Sequence, residues 1–354
     1  MSIKIKKNIP LSKYTTFKIG GPAKYFCLVK SNDEIEKALE FAEKNKLKIF
    51  VLGGGSNLLI SDRGFDGLVL RIANCELRIA NKNIQYPISN IQYSKIVCDA
   101  GVPLVKLANE SIKGNLTGLE WAAGIPGTVG GAIANNTGAN GKCMADVVRD
   151  IEILDIGYWI LGNSPNPLLQ KGNKIIPSLS KRTREISGLE IRKLNNKECK
   201  FSYRDSVFKK EKRYIILSAV LKLKEGNREE SKKTISEILK SRKEKQPLEY
   251  PSAGSIFKNP AVDDEHFKKL IKKYPELKNI VKDNIVPAGW LIEKAGLKGK
   301  KIGGAMVSEK HCNFIVNFNN AKAEDVVILI SLIKQKIRTY FGIQLKEEIE
   351  YVGF

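Results

Sequence analysis

Three consecutive glycines, Gly53, Gly54 and Gly55, followed by Ser56 and Asn57, separate two apolar runs, Lys48–Leu52 and Leu58–Ser61. Lacking a Cβ, such residues let successive backbone N–H groups turn to one side and form a nest for an anion. A dinucleotide-binding loop of the doubly wound type would have to open a helix. Strand-like runs stand on both sides here, so that fold is excluded. Two readings of the loop stay open, a phosphate nest and a tight turn between strands. A second small-residue stretch, Gly124-Ile125-Pro126-Gly127-Thr128-Val129-Gly130-Gly131-Ala132 with Asn136 beyond it, repeats the pattern. Two such loops suit a ligand with a diphosphate and an extended body, although close packing of a loop on a sheet would also call for glycine.

Around the first loop the pattern reads helix, strand, loop, strand. Ser31 and Glu34 have capping-box spacing, and Ile35, Ala38, Leu39 and Ala42 share one face, which predicts a helix over 31–46. Leu68–Ile72 predicts another strand and Pro103–Lys113 a short helix. Ile151–Leu154, Ile191–Leu194, Cys199–Tyr203 and Tyr214–Leu223 predict strands of one sheet. Residues 157–188 have no period and read as a long surface insertion. Glu229–Lys245 predicts a basic helix. Asp325–Phe341 predicts an amphipathic one with Val326, Val327, Ile330, Ile333, Ile337 and Phe341 on its apolar stripe. The tail from Ile343 to Val352 alternates like a strand.

The chain of 354 residues is long enough for two or three domains, and no apolar run reaches the ~18 residues of a membrane span. No leader-like apolar segment follows Met1. Six scattered cysteines and two histidines, without a C-x-x-C pair, argue against a zinc cage or a disulfide framework and for a reducing cytoplasm. The net charge of +22 raises the possibility of a nucleic-acid partner. The lysines are dispersed, however, which favours solvated faces over a binding patch. We expect no nucleic acid, no membrane insertion, no metal and a monomer.

Further motifs narrow the reading. Tyr14-Thr15-Thr16-Phe17-Lys18-Ile19-Gly20-Gly21-Pro22-Ala23, both glycine loops, Tyr203-Arg204-Asp205-Ser206, Ala253-Gly254-Ser255-Ile256-Phe257-Lys258-Asn259-Pro260 and Leu345…Glu348-Ile349 occur in that order. Together they resemble the UDP-N-acetylenolpyruvoylglucosamine reductases, over nearly the whole chain and in the shorter form that lacks a tyrosine loop. The resemblance implies an α+β chain. Its FAD-binding part would be of the vanillyl-alcohol-oxidase-like (PCMH) kind, with subdomains at 1–72, completed by the C-terminal strand 343–354, and at 73–226. A smaller α+β substrate-binding domain would span 227–342. The 157–188 insertion, Thr137, Asn140 and Lys346 depart from the usual pattern.

The resemblance also implies the chemistry, which is reduction of an enolpyruvyl ether on UDP-N-acetylglucosamine with FAD as cofactor and NADPH as co-substrate. Hydride added to the methylene carbon pushes charge onto the adjacent carbon and its carboxylate. By the resemblance Arg204 and Glu348 flank that carboxylate and Ser255 donates the proton, Glu348 being expected to carry a raised pKa. Read alone, Arg204 is a strand-end ion pair, Ser255 a turn hydroxyl bonded to backbone and Glu348 a surface charge. Arg242 and Lys245, three apart on one helix face, suit the substrate diphosphate, and Tyr203, Asn259 and His311 are expected around the nucleotide sugar. The cofactor loops comprise Gly53, Gly54, Gly55, Ser56 and Asn57, then Gly124, Ile125, Pro126, Gly127, Thr128, Gly130, Gly131, Ala132 and Asn136. Two other classes stay in view. One is a flavin oxidase of the same superfamily acting on a sugar or hydroxy acid. The other is a basic nucleic-acid-binding protein.

Overall fold

The computed structural model describes residues 3–80, 93–157, 183–186 and 189–354. They form two compact units. The first comprises 1–8, 24–54 and 66–240, and the second 9–23, 55–65 and 241–354. The expected divisions at 72 and 226 therefore do not coincide with the boundaries of compactness. Two short early segments pack with the C-terminal part of the chain, and the second boundary falls inside the helix Arg228–Lys245.

In the first unit Ser31 caps the helix Asn32–Lys44, its hydroxyl accepting from the Glu34 N–H at 3.3 Å. Glu34 reaches back one residue further than a standard capping box, taking the Lys30 N–H at 2.6 Å. Ile35, Ala38, Leu39 and Ala42 are all buried. The chain then enters Lys48–Leu52, which pairs in parallel with Phe65–Ile72. These two end a four-stranded sheet whose order is Ile5–Pro10, Pro22–Val29, Phe65–Ile72, Lys48–Leu52.

A second sheet runs Thr183–Ile186, Leu189–Asn195, Val148–Asp155, Tyr214–Glu225, Tyr93–Asp99, Leu77–Ala80. Leu116–Thr117 pairs beside it on Tyr214–Glu225. All its pairings are antiparallel. Val148–Asp155 and Tyr214–Glu225 lie at its centre and bury Ile151, Ile153, Ala219 and Leu221. Most of the expected insertion, residues 158–182 and 187–188, lies outside the described residues; Thr183–Ile186 is a strand rather than loop.

Cys199–Tyr203 is not a strand. Lys200 and Arg204 take positive φ values of 47° and 53°, and Ser202 and Asp205 exchange backbone hydrogen bonds at 3.0 and 3.1 Å across a tight reversal. The apolar alternation there reflects the burial of Cys199, not lateral pairing.

The second unit holds a four-stranded antiparallel sheet, Ser252–Ser255, Phe314–Asn317, Ala305–Val307, Lys301–Ile302. The helix Ala323–Phe341 lies beside its last two strands and buries Val326, Leu329, Ile330, Ile333, Ile337 and Phe341. Full burial is worth about 1.5–3 kcal/mol for each large aliphatic side chain, so this stripe anchors the unit. Val327, expected on the stripe, is only partly buried, and Leu329 takes its place.

The C-terminal tail alternates in burial at Ile343, Leu345 and Ile349, but only Glu350–Val352 is a strand. It pairs in parallel with Leu58–Ile60. No helix among the described residues is long and apolar enough to cross a membrane.

Candidate functional site

Gly53 and Gly54, which open the first glycine loop, meet the second loop within the first unit. A Cβ on Gly54 would lie 2.5 Å from the Gly127 Cα and 3.2 Å from the Thr128 nitrogen, and one on Gly53 would lie 2.7 Å from the Thr128 hydroxyl. Only hydrogen at both positions allows this approach. Thr128 caps the short helix Val129–Ala134, its Oγ1 taking the Gly131 N–H at 3.5 Å. Gly130 lies against Ala100, where a Cβ would meet the Ala100 Cβ at 2.9 Å.

Gly131 differs from these, because its Cβ would meet only the Thr128 hydroxyl, at 3.6 Å. Among the described residues the N–H groups of Gly54, Gly127 and Thr128 donate to no backbone acceptor. Glycines pressed together with N–H groups left over fit a diphosphate-bearing ligand such as FAD, since an anion needs donors and no intervening side chain.

The Tyr203–Ser206 motif docks on the end of that short helix. Ser206, fully buried, donates to the Ala134 carbonyl at 2.6 Å, and Arg204 Nη2 donates to the Gly138 carbonyl at 2.8 Å. Asn136 joins the two pieces. Its Nδ2 donates to the Ser202 carbonyl at 2.9 Å and its Oδ1 accepts the Ala145 N–H at 3.0 Å. Expected as a cofactor contact, Asn136 thus has both ends of its amide engaged within the protein. Its φ of 43° suits asparagine better than most residues. Tyr203 is exposed, with the Arg204 guanidinium 5.6 Å from its ring centroid.

In the second unit, residues about ninety apart in the sequence become neighbours. The Glu348 N–H donates to the Ile256 carbonyl at 2.7 Å, and Lys258 N–H to the Lys346 carbonyl at 2.9 Å. Ser255 and Glu348 therefore lie on two paired segments. The partly exposed Ser255 hydroxyl makes no protein hydrogen bond among the described residues, so the turn-hydroxyl reading of this residue does not hold.

Asn57 belongs to the same assembly. Its Nδ2 donates to the Glu348 carbonyl at 3.0 Å and its carbonyl accepts the Glu350 N–H at 2.9 Å. It ties the end of the first glycine loop to Glu348 and to the start of the strand Glu350–Val352. At Gly55 the φ is +64°, and a Cβ would run into the Tyr14 carbonyl.

Asn259 Oδ1 accepts the Ala288 N–H at 3.0 Å and so caps the helix Ala288–Lys294. His311 sits on the turn before Phe314–Asn317. Its Nδ1 accepts the Asn313 N–H at 3.3 Å, which leaves the ring hydrogen of the neutral form on Nε2. Burial holds its pKa below the ordinary 6.5. The other histidine, His266, contacts the Phe341 carbonyl through Nε2 at 2.7 Å.

Arg242 is half-buried near the end of the helix Arg228–Lys245, and burial lowers the pKa of its guanidinium. Lys245, on the same face, is exposed. Asn313, which the motifs did not single out, has both ends of its amide engaged. Its amide takes the Phe257 N–H at 3.0 Å and gives to the Phe257 carbonyl at 2.8 Å.

Residues 23–157 match an FAD binding domain, and residues 246–352 match the C-terminal domain of UDP-N-acetylenolpyruvoylglucosamine reductase. The reductase of Caldanaerobacter subterraneus subsp. tengcongensis is 39% identical over 99% of this chain and 94% of its own. That of Anoxybacillus flavithermus is 36% identical over 99% and 94%. The crystal structure of the Thermus caldophilus enzyme superposes with a TM-score of 0.67 at 29% identity, covering 99% of both chains. With close-packed glycines fit for a flavin diphosphate at Gly53, Gly54 and Gly127 and a strand-held serine paired to a carboxylate segment, the chain belongs to the UDP-N-acetylenolpyruvoylglucosamine reductases, oxidoreductases built on an FAD-binding domain.

Proposed function

We propose that this protein reduces the enolpyruvyl ether of UDP-N-acetylglucosamine to the lactyl ether of UDP-N-acetylmuramate, a peptidoglycan precursor, at the expense of NADPH. It would act as a cytoplasmic monomer. The observation that carries the reading is the Ser255 hydroxyl, which among the described residues has no hydrogen-bond partner yet lies on a segment hydrogen-bonded to that of Glu348. FAD, when bound, supplies hydride chemistry at the methylene carbon of the enol ether. Gly53–Ser56, Gly124–Thr128 and Gly130–Ala132 would hold its diphosphate.

The remaining steps fall to side chains. Arg204, whose planar guanidinium matches a carboxylate with two parallel donors, holds the substrate carboxylate and stabilises the charge that develops on it. Glu348 assists in its protonated form. Ser255 delivers a proton to the carbon bearing the carboxylate. A serine is a weak acid, but the carbanion-like carbon it meets is a strong base, and fixed geometry makes the transfer efficient. Arg242 and Lys245 take the substrate diphosphate. Tyr203, Asn259 and His311 contact the nucleotide sugar, His311 as an Nε2–H donor that stays neutral because burial lowers its pKa.

Anaerobic titration tests the whole reading. NADPH should bleach the flavin and the enolpyruvyl nucleotide should restore it. Steady-state data should give parallel double-reciprocal lines, as expected if both ligands use one cavity in turn; intersecting lines would sink the shared-cavity part. A preparation without bound flavin, or one that consumes oxygen rapidly with a free sugar, would overturn the proposal.

A further inference from the structure

Asn313 is 4% exposed, and no expected role required a buried amide at this place. Its side chain makes the same pair of hydrogen bonds to Phe257 that a neighbouring strand would make. Oδ1 accepts the Phe257 N–H at 3.0 Å and Nδ2 donates to the Phe257 carbonyl at 2.8 Å. Its backbone carbonyl accepts the Ile256 N–H at 2.8 Å. Three hydrogen bonds from one residue thus hold the two peptides that follow Ser255. The Ile256 carbonyl in turn accepts from the Glu348 N–H, and Asn57 Nδ2 donates to the Glu348 carbonyl.

Strand pairing supports Ser255 unevenly. The strand Ser252–Ser255 is irregular, pairing with Phe314–Asn317 only at Ser252 and Ser255, with a shift of register between them. Gly254 has a φ of +79°, and a Cβ there would meet nothing within 4 Å. Upstream of Ser255 the Pro251 and Ser252 carbonyls accept from the Asn317 N–H at 2.8 Å and the Thr16 hydroxyl at 2.7 Å; downstream, Asn313 holds two consecutive peptides.

We infer that Asn313 is the positioning residue for proton delivery, its amide locking the Ile256–Phe257 peptides so that Ser255 and Glu348 keep a fixed relation. The inference rests on the proposed role of Ser255 as proton donor. Proton transfer is steep in distance, and a misplacement of about 1 Å in a catalytic group can cost on the order of 10²-fold in rate. Reduction of the flavin by NADPH needs no proton from Ser255, so the two half-reactions separate a positioning role from a structural one.

Asn313→Asp is the discriminating variant. It keeps shape and the acceptor for the Phe257 N–H, but when ionised it sets an oxygen without hydrogen against the Phe257 carbonyl. Protonation would restore a donor there. The ionisable groups on the segments that meet this position are His311 and Cys312 on its own turn, Lys258 beyond Phe257, Glu347 and Glu348 on the paired segment, and Glu293 on the helix Ala288–Lys294.

In stopped-flow measurements on the FAD-loaded full chain, the variant should be reduced by NADPH at the wild-type rate. Reoxidation by the enolpyruvyl nucleotide should slow on the order of 10²-fold, with a larger solvent deuterium isotope effect and recovery as pH falls. Equal slowing of both half-reactions, or wild-type reoxidation at neutral and higher pH, would overturn the inference. If the aspartate variant fails to fold, Asn313→Ser, which keeps an acceptor without the charge, should show the same split, and a wild-type reoxidation rate in it would be equally fatal. Ser255→Ala distinguishes the two levels. If it reoxidises normally, the assignment of Ser255 is at fault. If it does not reoxidise while Asn313→Asp does, only the role of Asn313 fails.

Discussion

Between Gly54 and Gly127 there is no room for a single methyl group, whereas between Phe257 and the Phe314–Asn317 strand a whole amide, that of Asn313, fills the gap with hydrogen bonds. The first region makes its site by omission, with two backbones in contact and their N–H groups left for a ligand. The second makes its site by insertion, with Asn57, Asn259 and Asn313 each tying down a peptide that has no regular strand partner. The two strategies suit different tasks. A diphosphate is large, charged and held by many weak donors, so a concave backbone surface suffices. Proton transfer to one carbon depends on one hydroxyl, so its support must be directional.

If the contrast holds, the two regions should fail in different ways. The largest effect is expected at Ser255→Ala. Flavin reduction by NADPH should persist while reoxidation by substrate falls by about 10²–10⁴-fold, the usual range for a lost general acid. Comparable loss of both half-reactions in rapid-mixing experiments would break the distinction between the two regions.

Gly54→Val comes next. Its Cβ would overlap the Gly127 backbone, and neither partner is a flexible side-chain end. We expect about 1–3 kcal/mol of destabilisation from overpacking, read as a lower thermal midpoint together with loss of FAD on gel filtration. A variant that keeps its flavin would show that the loops can separate freely.

Gly131→Ala sharpens the comparison, because its Cβ meets only the Thr128 hydroxyl at 3.6 Å and lies in a helix. Alanine there should leave the flavin-free protein as stable or up to about 1 kcal/mol more stable, yet weaken FAD retention if the glycine is kept for the ligand. Unaltered retention would move Gly131 to the packing class.

The smallest effect concerns His311. Burial lowers its folded-state pKa below 6.5, so between the folded and unfolded values the unfolded chain binds more protons. Stability should rise with pH through that window and be lost as pH falls through it, with no further change from this group below the folded value. His311→Gln should flatten that part of the stability profile in denaturant titrations across pH. An unchanged slope would mean that His311 is not the group responsible.

Much of the local structure was legible in sequence. The helix Asn32–Lys44 has its cap at Ser31 and buries the four residues that its period selects, because capping and amphipathicity act within a few residues. Both glycine loops were visible for the same reason. Cys199–Tyr203 misled, since its apolar spacing reports the burial of one cysteine and the chain reverses immediately afterwards at Ser202–Asp205. The tail from Ile343 misled more mildly. Alternating burial is real there, but strand pairing needs a partner with free backbone groups, and only Glu350–Val352 finds a continuous one in Leu58–Ile60.

By itself the sequence determined the kinds of surface this protein could offer, namely backbone loops free of side chains and a basic helix, since each depends on residues close together in the chain. Only the tertiary structure decided that Gly54 would press on Gly127, that Asn57 would hold Glu348 across 291 residues and that Asn313 would clamp Phe257 across 56. A hydrogen bond carries no trace in the intervening sequence. Its partners are chosen when the core packs and buried N–H and C=O groups must each find a mate.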